Sequence, residues 1–130
     1  IHKCYLAREN KTPLKIWGSG KPLREFIFSK DVAKLTEWVL YNYNENEPII
    51  LSTSEEISIK EVVNVITELM NFKGDVIFDS SKPDGQFRKP SDNTKIKNYL
   101  PNFKFTPFYE GLKETIEFFE NNYSIVRKNG

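Results

Sequence analysis

The sequence predicts a small α/β domain built from short strands and three to five helices. Apolar residues recur at helical spacing in several separate segments. Short runs rich in β-branched and aromatic residues lie between them, bounded by Gly, Pro, Asn and Asp. The length, 130 residues, suits one domain with a modest core.

The elements follow in chain order. Residues 1–10 (IHKCYLAREN) read as a helix in which Ile1, Tyr5 and Leu6 share a face. No residue precedes Ile1 to cap it and the chain does not begin with Met, so it is expected to be part of a longer protein. Residues 14–17 and 23–28 read as strands, and the polar GSGKP between them as a hairpin connection whose glycines supply positive φ. Ser29 is placed to cap a second helix, with Asp31 in its first turn and Val32, Leu35, Val39 and Leu40 facing inward. The apolar run in residues 47–51 (EPIIL) is expected to be a buried strand. Ser58 and Glu61 match a capping box at the head of a helix running to about Asn71. Its inner face is Val62, Val63, Ile66, Leu69 and Met70. Residues 75–79 (DVIFD) form the next strand. The long polar stretch 80–92 has no low-complexity bias, as expected of a binding loop. Asp92 is set to cap a short helix ending near Leu100. Thr106 and Pro107 match N-cap and first-turn positions of the last helix, which buries Leu112, Thr115, Ile116 and Phe119. The tail from Ser124 to Gly130 is expected to fray.

Composition excludes several classes. A formal net charge of +1 gives no bulk attraction to nucleic acid or to a membrane surface. The single cysteine, Cys4, excludes an internal disulfide and a cysteine-based zinc site, and fits a reducing compartment. No apolar run is long enough to span a bilayer. The Gly-Ser-Gly follows a strand, but Pro22 and a second strand come next rather than a helix. That order is wrong for a dinucleotide cradle, which needs a helix N-terminus against the pyrophosphate. His2 is the only histidine and lies at the chain start, with no nucleophile arrangement around it. Ten phenylalanines in so short a chain are more aromatic surface than one small domain readily buries, which points to a partner domain.

The residues that carry chemistry suit a nucleotide diphosphate. Trp17 and Arg24 flank the Gly-Ser-Gly turn. An indole offers a flat surface to a base or sugar, and a guanidinium offers paired contacts to phosphate. The loop adds Lys82, Asp84, Arg88 and Lys89, and Lys3 brings a cation from the first helix. Each has a plainer reading. Trp17 reads equally well as core, Arg24 as a strand-surface charge, and Asp84 as turn chemistry beside Gly85. The lysines and Arg88 suit solvent.

The segments WGSGKPLREFIFSKDVAKL, EPIILS, SIKEVV, FKGDVIFDSSKPDGQFRK and YLPNFKFTPF cover most of the chain. Together they resemble the carboxy-terminal part of the extended short-chain dehydrogenase/reductases that act on GDP-linked sugars. Trp-Gly-x-Gly-x-Pro-x-Arg-x-Phe is shared more widely among nucleotide-sugar epimerases and dehydratases, whereas Ser-Lys-Pro-Asp-Gly with Arg-Lys is more specific to one branch. The resemblance implies a two-lobed, NADP-dependent epimerase/reductase, cytoplasmic and homodimeric. Its Rossmann lobe, which binds NADP(H), is absent from this sequence. Residues 1–130 then form the substrate-binding lobe, inactive alone and without a cofactor of its own. The substrate contacts implied are Lys3, Trp17, Arg24 and Asp84, with Arg88 and Lys89 as additions. Neither Cys4 nor His2 inherits a catalytic role. The rival readings are another nucleotide-sugar epimerase or dehydratase, and a non-catalytic nucleotide-sugar-binding module.

Overall fold

A computed structural model describes residues 1–126; Arg127 to Gly130 of the expected fraying tail lie outside the described residues. The order is α1 (His2–Asn10), β1 (Leu14–Trp17), β2 (Leu23–Glu25), α2 (Ser29–Asn42), β3 (Glu56–Ser58), α3 (Ile59–Leu69), β4 (Val76–Asp79), α4 (Thr94–Tyr99) and α5 (Phe108–Asn121). The α/β class therefore holds, with five helices and short strands among the described residues.

The strands pair differently from the expected hairpin. β1 runs parallel to β4, from Leu14 opposite Val76 to Trp17 opposite Asp79. β2 runs antiparallel to β3, with Arg24 opposite Ile57. The turn between β1 and β2 thus passes from one two-stranded sheet to another instead of reversing the chain within one. Helix α3 holds it open. The first N–H groups of a helix lack partners within it. Here Ile59 N–H donates to Pro22 O at 3.0 Å and Lys60 N–H to Gly20 O at 2.9 Å.

The capping box at α3 is present. Ser58 Oγ accepts from Glu61 N–H at 3.1 Å, while Glu61 Oε2 accepts from Ser58 N–H at 2.9 Å. Other caps differ from expectation. Phe28, not Ser29, holds the N-cap of α2, and Asn93, not Asp92, that of α4. Asp92 still binds the first turn of α4, accepting from Thr94 N–H at 2.9 Å. Pro107 stands at the N-cap of α5 because Thr106 is engaged elsewhere. Asp31, 1% exposed, accepts from Thr106 N–H at 2.7 Å and from its hydroxyl at 3.1 Å. A buried carboxylate needs such donors, and this pair ties α2 to the entrance of α5. The segment 47–51 forms no strand, and Ile50 is 47% exposed, too open for the buried strand expected there. Beyond α5 the chain closes a turn in which Ile125 N–H donates to Asn122 O at 2.9 Å.

The main core joins Cys4 and Ala7 of α1, Leu14 of β1, Val63 of α3, Met70 and Ile116 of α5. The α1 face therefore centres on Cys4 and Ala7, while Leu6 is exposed. Leu35 of α2 and Ile96 of α4 are buried outside this cluster. Leu40, expected on the same face as Leu35, is 75% exposed, whereas Leu35 is at 0%. Leu35→Ala is expected to cost about 2–5 kcal/mol and Leu40→Ala less than about 0.5 kcal/mol, read from urea unfolding.

Candidate ligand-binding site

The parallel pairing of β1 and β4 brings two connections out at one end of the sheet. Trp17 and Asp79 end the strands side by side, and Gly18 N–H extends the ladder to Asp79 O at 2.9 Å. From there the chain enters the Gly-Ser-Gly turn on one side and the 80–92 loop on the other. Crevices at the carboxyl ends of parallel strands are a recurrent place for ligands in α/β folds.

Both glycines of the turn are needed for close approach. Gly18 has φ +83°, and a Cβ there would lie 2.3 Å from Asp84 Oδ1. Gly20 has φ +76°, and a Cβ there would lie 2.5 Å from the Phe78 ring. Between them, Ser19 N–H donates to Asp84 Oδ1 at 2.5 Å and Ser19 Oγ donates to Asp84 Oδ2 at 2.7 Å. These bonds, the hydroxyl's first and then the backbone N–H's, hold the Asp84 carboxyl below the usual aspartate range. The turn therefore binds the protein's own carboxylate. Its N–H is engaged, and a strand rather than a helix follows, so the residues present do not fit a dinucleotide pyrophosphate.

Trp17 is 67% exposed, which settles its reading as a surface residue. Lys3 reaches across from α1 and sets its ammonium 4.8 Å from the Trp17 ring centroid. Lys3 and Trp17 also line one open groove together with Leu6, Asn10 and Pro13.

Arg24 lies on β2, beyond the turn. Its Nη1 donates to Leu23 O at 2.6 Å and its Nη2 to Gln86 O at 2.7 Å. Leu23 N–H adds a bond to Phe87 O at 2.8 Å. Arg88 Nε donates to both oxygens of Glu56, at 3.1 and 3.0 Å. That guanidinium holds Glu56 below the ordinary carboxylate range. Lys89 is exposed. The structure brings the candidates into two groups, Lys3 with Trp17 and the loop ties of Asp84, Arg24 and Arg88, and places Lys89 with neither. Lys3 touches Trp17, Asp84 is bound two residues beyond Trp17, and Arg24 and Arg88 strap the loop that carries Asp84. Sequence reasoning missed Ser19, Glu56 and Glu25, the last of which accepts from Ser91 N–H at 2.7 Å. The one local signal was a serine between two glycines, a residue type that bonds nearby backbone in turns.

The two groups set aside on sequence are occupied otherwise. Cys4 is buried and its thiol is pushed up chiefly by desolvation, which disfavours the nucleophilic thiolate. His2 Nε2 lies 3.3 Å from the Tyr123 hydroxyl. No cluster of three or more His, Cys, Asp or Glu suited to a metal ion occurs among the described residues. No helix among them is long and apolar enough to cross a membrane.

Known proteins resemble this chain in sequence and in fold. Residues 1–64 match the model of the NAD dependent epimerase/dehydratase family. The chain is 51% identical to a GDP-L-fucose synthase of Dictyostelium discoideum over 130 residues, covering 98% of this chain and 41% of that protein. A crystal structure of a GDP-L-fucose synthetase from Naegleria fowleri superposes with a TM-score of 0.96 at 46% identity, covering 98% of this chain and 39% of that one. An NADP-bound form of that synthetase gives 0.95 at 44% identity, with 98% and 40% covered. The chain thus spans about two fifths of the length of the relatives it matches. In sequence and in fold it is a homologue of the GDP-L-fucose synthases, corresponding to the carboxy-terminal part of an epimerase/reductase of the short-chain dehydrogenase/reductase type.

Proposed function

We propose that residues 1–130 are the substrate-binding lobe of an enzyme that makes GDP-L-fucose from GDP-4-keto-6-deoxy-D-mannose. The reaction is 3,5-epimerisation followed by NADPH-dependent reduction at C4, so the whole protein is both isomerase and oxidoreductase. The observation that carries this reading is the exposed Trp17 ring beside the Lys3 ammonium, at the carboxyl end of the β1–β4 pair. The names of the relatives support the identity of the sugar nucleotide.

In this reading the lobe holds and orients. Trp17 gives the nucleotide or sugar a flat apolar surface, and Lys3 and Arg24 meet the diphosphate. Asp84 accepts from hydroxyl or amino donors, and Lys89 adds a cation at the loop. Arg88 contributes mainly by fastening the loop to Glu56. NADP(H) supplies hydride when bound by a Rossmann lobe elsewhere in the protein; the residues here do not fit it, and their part is binding energy remote from the reacting carbons. Such energy lowers the barrier by fixing the sugar's position. The apolar groove formed by Phe26, Phe28, Phe108 and Leu112 suits packing against that second lobe. The whole protein then works as a cytoplasmic homodimer, with Cys4 reduced.

Trp17→Ala in the full-length protein is expected to weaken GDP binding by about 1–3 kcal/mol in calorimetry, the range for a base stacked on an aromatic side chain. Trp38→Ala, on α2 against Tyr99, serves as the control. GDP is expected to bind more tightly than UDP. Unchanged GDP affinity in the Trp17 variant contradicts the site.

Asp84 gives a pH test. Its folded value is depressed, so its bonds to Ser19 favour the ordered loop above the ordinary aspartate value and lose that effect as pH falls through the depressed one. Carboxyl-carbon NMR on the isolated chain is expected to show Asp84 titrating below about 3.9, the unperturbed value. A midpoint at or above that value means the Ser19 bonds are not formed in solution.

A further inference from the structure

Every residue from Ser80 to Pro90 is exposed. A loop with no buried side chain has no hydrophobic reason to keep one position, so its polar ties decide where it lies. Three of those ties lie toward β2 and β3: Arg24 to Gln86, Leu23 to Phe87 and Arg88 to Glu56. Among the described residues, Ser19 ties Asp84 to the Trp17 end.

The Ser19 tie is built in detail. Ser19 meets both carboxylate oxygens of Asp84, one with its backbone N–H and one with its hydroxyl. Its Oγ also accepts from Lys21 N–H at 3.2 Å, which directs the hydroxyl proton toward Asp84. The preceding residue lacks a Cβ, and any Cβ there would collide with Asp84 Oδ1. A carboxylate has about four lone-pair sites. Two are used by Ser19, which leaves acceptor capacity on an ionised group of fixed orientation.

We propose that Ser19 is a positioning residue for the sugar nucleotide: it holds the Asp84 carboxylate in a single orientation against the Gly18–Ser19 turn, so that Asp84 accepts from the ligand's hydroxyl or amino donors without first being ordered. This rests on the site reading above. It adds a residue that does not itself touch the ligand and a division of labour within the turn. Gly18 gives room, Ser19 orients, and Asp84 receives. A ligand that meets an already ordered group avoids the cost of fixing a flexible charged side chain at the moment of binding.

The experiment uses the full-length protein with GDP-4-keto-6-deoxy-D-mannose and NADPH. Ser19→Ala removes the hydroxyl and keeps the backbone bond; Ser19→Thr keeps both. The Ala variant is expected to raise KM for the sugar nucleotide by about tenfold, the scale of one hydrogen bond to a charged group. Its kcat and its affinity for NADPH are expected to stay within about twofold of the parent, and the Thr variant to restore KM. An unchanged KM in Ser19→Ala overturns the proposal. So does a parallel loss of kcat and NADPH affinity, which marks damage to the fold, or a failure of Thr to rescue. Trp17→Ala, run alongside, separates the two levels. Weakened binding there with none at Ser19 overturns the role of Ser19 alone, and no loss at either position overturns the site itself.

Discussion

Two parallel strands of four residues each, β1 and β4, set the position of Trp17 and of the turn and loop that follow them. Parallel pairing sends both connections out at the same end, so a turn that starts at Gly18 and a loop that starts at Ser80 become neighbours. An antiparallel pairing would send them to opposite ends. Ser19 and Asp84, 65 residues apart in sequence, meet because Trp17 stands opposite Asp79. The core beneath supports this register. Leu14 lies in the main cluster with Cys4, Ala7 and Val63, and Ile16 and Phe78 pack against it.

The polar ties above that core do different work from the apolar contacts below. Asp31 is buried and bonded twice to Thr106, so it fixes how α5 enters the fold. Asp84 is exposed and bonded twice to Ser19, so it fixes a surface loop. The first kind of tie is costly to break because a buried polar group is left unpaired. The second exchanges readily with water and acts by orientation more than by stability. A surface made of such ties stays ordered yet open to solvent.

Local features were legible in the sequence to the extent that their causes are local. The capping box of Ser58 and Glu61, the apolar face of α3 and the strands at Leu14 and Val76 all follow from residues within a few positions of one another. Pairing was not legible. The glycines and lysine between β1 and β2 suit a hairpin, and only the α3 N-terminus, some forty residues on, reveals why the turn stays open. Ser29 and Thr106 have the chemistry of caps, but a helix start is settled by which tertiary partner claims the side chain, and Asp31 claims Thr106. β3 escaped notice because its three residues run directly into the capping box. At the site, residue types marked Trp17 and Asp84 as candidates. The Ser19 contact that orders Asp84 spans 65 positions and leaves no periodic trace.

In the proposed function a guanosine diphospho-sugar lies along the Trp17 end of β1 and β4. A structure of the full-length protein with GDP bound tests it most directly. The expected result is the nucleotide against the Trp17 ring, its diphosphate within reach of Lys3 and Arg24, and Asp84 still bonded to Ser19. A nucleotide seated elsewhere, with Trp17 facing solvent, rules out this site.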